Sequence, residues 1–235
     1  MASNRGDLLE VSKQSLLRLL YMNILLLVSL FVLNFLLLVV EWRFNIVTHT
    51  KDAVKLAVVA VTLVESVCFL FCGSFTTSTN TYSTKLKFRD HIYNLLKAVI
   101  IFLSSCVLLH VITVLYGAPA FENVEQTFLF SLLLTTLSIV PCLLFIGTDF
   151  ESWTRLYFER RPENAAELCL LYIVVCSYVG AWLGAFPIPL DWERPWQEWP
   201  ITVCIGALVG HTAGILLSIC HLLYHMTEGN KPQFR

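Results

Sequence analysis

Apolar residues in this chain do not alternate with polar ones; they run on in long blocks. Six blocks, at approximately 16–40, 53–73, 93–117, 125–147, 166–188 and 201–223, are separated by short polar segments. A helix needs about 20 residues to cross a hydrocarbon core of about 30 Å, and each block is long enough. Backbone groups within a bilayer must find their hydrogen bonds inside the protein, which leaves helices or closed barrels. The pattern predicts an all-α polytopic membrane protein, a bundle of six transmembrane helices forming a single domain over 1–235. The first block is too long, and too far from any small-residue cleavage site, to be a removable leader; it reads as a signal anchor.

An even number of spans puts both termini on one side. That side holds Arg5, Lys13, Arg18, Lys85, Lys87, Arg89, Arg155, Arg160, Arg161, Lys231 and Arg235. The other holds only Arg43, Lys51, Lys55 and Arg194, while Lys97 lies just inside the third span. By the positive-inside rule both termini are expected in the cytosol, and the loops near 41–52, 118–124 and 189–200 on the lumenal side. On the cytosolic side, 74–84 reads as a Ser/Thr-rich linker. Phe150, Trp153 and Tyr157 share one face of a short segment, expected either as an interfacial helix on an anionic leaflet or as an ordinary charged loop.

Composition sharpens this picture. Hydrophobic residues make up 57% of the chain and charged residues 14%, with mean hydropathy +0.70. Soluble domains carry about 25% charged residues, so little of the chain is left for an aqueous domain. A net charge of −1 gives no basis for nucleic-acid binding. The eight cysteines all fall within apolar runs, which suits small, reduced, buried residues rather than a disulfide framework.

Several constellations lie inside the spans. Gly180 and Gly184 form one GxxxG, and Gly206, Gly210 and Gly214 form two more. Such stripes let backbones approach closely, so spans 5 and 6 are expected to pack on each other or on a partner helix; a ligand crevice over the glycines is the alternative. Glu65 sits near the middle of span 2, where a lone charged carboxylate costs about 2.5–3.5 kcal/mol on insertion scales. His211 lies at similar depth in span 6. Two readings stand: a meeting of Glu65 with His211, or the simpler one, a neutral Glu65 bonded near Thr62 or Ser66. His110, His221 and His225 read as satisfied polar residues or interface anchors, and Pro141 as a kink in span 4.

The segment 179–201, VGAWLGAFPIPLDWERPWQEWPI, holds Pro187, Pro189, Pro195 and Pro200 together with Trp182, Trp192, Trp196 and Trp199. Proline stops the helix and tryptophan favours headgroup depth, so a rigid interface-hugging turn is expected. Asp191, Glu193 and Arg194 are placed to pair with one another. The turn is either a clamp on spans 5 and 6 or a docking surface for a headgroup or a protein.

GAWLGAFPIPLDWERPWQEWPI closely resembles the signature of the phosphatidylinositol-glycan biosynthesis class F (PIG-F) family. HVITVLYGAPAFE at 110–122 and EQTFLFSLLLTTLSIVPCLLFIG at 125–147 are similar to that family as well. The resemblance implies an endoplasmic-reticulum protein of glycosylphosphatidylinositol (GPI) anchor assembly. It implies a non-catalytic, stabilising subunit of ethanolamine phosphate transferases, whose large partners are PIG-O-like and PIG-G-like proteins with a metal-bearing lumenal domain. The partner surfaces expected here are the glycine faces and the turn at Pro189–Trp199.

The residues themselves argue in the same direction. Two-metal phosphoryl transfer needs several Asp and His side chains gathered in one cavity. The expected lumenal side offers His49 and scattered carboxylates at Glu41, Asp52, Glu122, Glu125, Asp191, Glu193 and Glu198. No HExxH, GxSxG or P-loop occurs, so no metal, cofactor or catalytic residue is assigned. Two alternatives stay open, an intramembrane lipid-modifying enzyme using Glu65, His110 or His211, and a small lipid transporter with Glu65 and His211 lining its path.

Overall fold

The computed structural model describes residues 2–38, 45–73, 88–190 and 192–228. Among the described residues, seven α-helices run α1 (Ala2–Leu38), α2 (Thr50–Gly73), α3 (Phe88–Leu115), α4 (Val124–Phe145), α5 (Phe150–Tyr157), α6 (Ala165–Gly184) and α7 (Ile201–Glu228). All but α5 are long and apolar enough to cross a membrane, so the chain is a multi-pass α-helical membrane protein. These six match the six apolar blocks; the Ser/Thr-rich stretch 74–84 lies outside the described residues.

The helix ends follow from polar residues between the blocks. Asn164 caps α6 by accepting the Glu167 N–H, and the Glu167 carboxylate accepts the Glu163 N–H in return. Asp149 caps α5 by accepting from both the hydroxyl and the N–H of Ser152, which hold its carboxyl below the usual carboxylate range.

Helices α1, α2, α4 and α7 pack around a square: α1 on α2, α2 on α4, α4 on α7, and α7 on α1. Leu30, Leu37, Val61, Leu133, Leu137 and Ile215 fill its interior. Helix α6 lies against α7 and α4, whereas α3 is held chiefly by α4. Helix α4 is the axis, with 61% of its apolar window buried against 11% for α3. Its buried hydroxyls at Thr127, Ser131, Thr135 and Ser138 each donate to a carbonyl one turn back, so they enter the core with their donors satisfied. Helix α4 continues through Pro141.

In lipid, burying a leucine against another leucine releases little water-derived free energy. Close backbone approach and interhelical hydrogen bonds therefore decide which helices associate.

Candidate functional site

The five glycines interlock α6 with α7. A Cβ on Gly180 would stand 2.2 Å from the Gly206 carbonyl oxygen, and one on Gly210 would stand 2.2 Å from that of Cys176. Gly184 meets the Thr202 carbonyl at 2.4 Å, Gly206 that of Gly180 at 2.3 Å, and Gly214 the Ile173 Cα at 2.6 Å. Each obstacle is backbone, so no rotamer change relieves it. Ser218, which donates to the Gly214 carbonyl at 2.9 Å, also lies 3.3 Å from the Cys169 carbonyl across the seam and can share its proton with it. Of the occupants expected from sequence, the structure supplies the internal one. The glycine faces of α6 and α7 meet each other, backbone against backbone.

Across the square, Glu65 of α2 meets His211 of α7, with Oε1 3.4 Å from Nε2. Both side chains are buried. The simpler expectation for Glu65 is displaced because the Thr62 hydroxyl donates to the Val58 carbonyl instead. The other nitrogen, His211 Nδ1, lies 3.1 Å from Ser177 Oγ on α6. Since Ser177 donates its proton to the Ile173 carbonyl at 2.7 Å, its oxygen accepts from Nδ1–H. With Nδ1–H committed to Ser177, a hydrogen bond between Nε2 and Oε1 needs one shared proton, and a pair that shares one carries no net charge. Neutrality is what makes such a pair tolerable at this depth. Glu65 Oε2 has no hydrogen-bond partner.

Serine, histidine and glutamate in contact have the composition of a nucleophilic triad, but the arrangement cannot act as one. The Ser177 hydroxyl is fully buried and committed to a backbone carbonyl. A triad serine instead needs an exposed oxygen facing both a substrate and an oxyanion hole. Among the described residues, no three His, Cys, Asp or Glu side chains gather as metal ligands.

The turn after α6 is built as a clamp. It contains two 3-10 turns, Ile188–Leu190 and Pro195–Gln197. Buried Gln197 donates to the Pro187 carbonyl at 2.7 Å and accepts the Arg194 N–H at 3.2 Å, tying the loop across itself. Trp199 donates its indole N–H to Thr127 Oγ1 on α4 at 2.9 Å and sets its ring edge-on to Phe130, 5.6 Å between centroids. Trp192 and Trp196 form an exposed T-shaped pair beside the exposed Pro189 and Pro195, and Trp182 stacks edge-on against Phe186. Asp191 lies outside the described residues. The pairing expected between Glu193 and Arg194 does not form: both side chains are exposed, and Glu193 has a left-handed backbone at φ 50°. Nearby, Lys51 and Lys55 both reach Glu125, at 2.5 Å and 3.3 Å.

Other expectations change on the opposite side. Helix α5 forms, with Phe150, Trp153 and Tyr157 at i, i+3 and i+7, but only Trp153 and Tyr157 are held against the bundle. Trp153 bonds the Gly147 carbonyl and Tyr157 the Cys142 thiol, drawing both toward the bundle, while Phe150 and Phe158 point outward. Residues 149–163 carry four carboxylates against three arginines, and Arg155 is already paired with Glu163 and Glu167. An anionic leaflet has little to attract here. Cys220 is exposed, unlike most of the other described cysteines. His110, expected as a satisfied polar residue or an interface anchor, has a buried Nδ1 with no partner.

Sequence reasoning passed over Ser177, Thr127 and Gln197. A serine three residues before Gly180 at His211 depth was a readable signal. The partners of Thr127 and Gln197 lie in other segments, and neither stands out in its own.

The family model of the GPI biosynthesis protein family Pig-F matches residues 16–219. The GPI ethanolamine phosphate transferase stabilizing subunit of Mus musculus is 38% identical over 201 residues, 86% of this chain and 90% of the relative. The Homo sapiens protein of the same description is 45% identical over 139 residues, 59% of this chain and 64% of the relative. The glycosylphosphatidylinositol anchor biosynthesis protein 11 of Yarrowia lipolytica is 41% identical over 103 residues, 44% of each chain. No solved structure matches. Six apolar helices, the interlocked glycine seam and the Trp/Pro clamp thus sit within a match covering most of the sequence, and the chain belongs to the Pig-F family of GPI biosynthesis proteins.

Proposed function

We propose that this chain is a non-catalytic, stabilising subunit of an ethanolamine phosphate transferase in GPI-anchor biosynthesis. The observation that carries the reading is the 38% identity to the mouse stabilizing subunit across 86% of the chain. The interior supports it. The buried Ser–His–Glu contact is sealed, so chemistry on the substrate belongs to the partner. The chain works in the endoplasmic-reticulum membrane with both termini cytosolic and the Trp/Pro clamp lumenal. Its partners are large catalytic subunits of the PIG-O-like and PIG-G-like kind. It acts as a preassembled helical brace that covers transmembrane surface of the catalytic subunit.

Affinity purification of the tagged chain in mild detergent tests this. Stoichiometric recovery of a large multi-span protein with a lumenal phosphatase-like domain is expected. A monodisperse chain with no partner, whose depletion leaves the transferase at normal abundance, contradicts the reading.

A further inference from the structure

We propose that the lipid-facing side of α3, centred on His110 in the lumenal half of the helix, is where a transmembrane helix of the catalytic subunit docks. The proposal rests on the accessory reading above and names its surface. The glycine seam is closed, and Trp199 and Gln197 are spent on internal bonds. Helix α3 differs: α4 is its main neighbour, and only 11% of its apolar window is buried.

Apolar exposure alone identifies nothing in a bilayer, because lipid covers leucine as well as protein does. The polar groups are what discriminate. On α3, Ser104 and Thr113 satisfy their hydroxyls by donating to the Ile101 and Leu109 carbonyls. His110 does not. Its ring lies half-buried beside Phe128 with centroids 6.1 Å apart, Nδ1 is enclosed without a partner, and Nε2 makes no hydrogen bond among the described residues. His211 shows what this fold does with an internal histidine: both of its nitrogens are engaged.

His110 lies five residues before the end of α3, about 7 Å below it. An unbonded imidazole at that depth carries a free-energy cost that apolar lipid tails cannot relieve. A helix presenting a hydroxyl, amide or carboxyl group at the same depth relieves it at Nε2, the ring nitrogen that is not enclosed. Leu103, Val107 and Val111 are exposed on its side of the helix and supply the apolar flank of such a contact.

The test uses the full chain co-expressed with the catalytic subunit. A photo-crosslinking residue in place of Leu103 or Val107 is expected to form an adduct with the catalytic subunit, and one in place of Val28 on the exposed face of α1 is not. In parallel, His110→Leu and Val107→Trp are expected to lower the catalytic subunit recovered per tagged chain about three- to tenfold. Adducts only with lipid or with a second copy of the chain overturn the proposal. So does undiminished recovery by both variants when the wild type recovers its partner. If the wild-type chain recovers no catalytic subunit, the accessory reading falls, and the docking face with it.

Discussion

The α6–α7 pair and helix α3 solve the same problem in opposite ways. Both are apolar and both must be held in a solvent that gives leucine little reason to prefer protein. The α6–α7 pair removes side chains from one face of each helix, so carbonyl oxygens come within the space a Cβ would fill. It then adds hydrogen bonds across the seam at Ser177–His211 and Ser218–Cys169. Helix α3 keeps its large side chains outward, packs chiefly on α4 and leaves His110 unbonded. In lipid, then, completeness is judged by close backbone approach and by whether each polar atom has its partner, rather than by apolar area. By the first measure α6–α7 is complete along its glycine seam, although Thr202 Oγ1 of α7 is buried without a partner, while α3 has neither a close seam nor a partner for His110.

The largest effect that can break this comparison is expected at the seam. Gly210→Leu would drive a side chain into the Cys176 carbonyl, and overpacking against backbone should cost at least about 3 kcal/mol. Thermal unfolding in detergent and the amount of inserted chain should both fall sharply. Glu65→Leu comes next. It strips His211 Nε2 of its partner, for a loss of about 1–3 kcal/mol. Glu65→Gln keeps an N–H to offer Nε2 and should lie within about 1 kcal/mol of wild type. Equal losses for Leu and Gln would show that packing rather than the shared hydrogen bond sets the effect.

Trp199→Phe sharpens the account of the clamp. It keeps a ring against Phe130 but deletes the bond to Thr127, and should cost about 1 kcal/mol. Thr127→Val should cost a similar amount, and the double variant no more than either alone; additive losses would mean that the two residues do not act through one bond. The smallest effect on the isolated chain is expected from Val107→Trp, whose side chain meets lipid on α3. Its unfolding temperature should stay at the wild-type value.

Much of this was legible before any coordinates. Hydropathy blocks place all six spans, because the length of an apolar run and the thickness of a bilayer are directly comparable. The glycine spacing shows that a close approach exists but not which helix answers it. That depends on α7 turning its Gly206–Gly214 face toward α6. Glu65 and His211 could be matched for depth, yet their meeting required α2 and α7 to stand at opposite corners of one square, which no local pattern encodes. The clamp was recognisable from its prolines and tryptophans, while its fastening to Thr127 was not, since a threonine in a hydroxyl-rich helix looks like its neighbours. His110 keeps two readings open for the same reason: sequence shows a polar residue in a span but not whether a partner stands beside it.

The central claim is that the glycine seam serves the chain and the α3 face serves the partner. The most direct measurement records two quantities in one detergent pull-down, for Gly210→Leu and Val107→Trp: how much chain accumulates, and how much catalytic subunit is recovered per chain. Normal accumulation with reduced recovery is expected for Val107→Trp, and low accumulation with ordinary recovery per surviving folded chain for Gly210→Leu. A Gly210→Leu chain that accumulates normally but loses its partner, beside a Val107→Trp chain that keeps it, would contradict the account and put the partner in the seam.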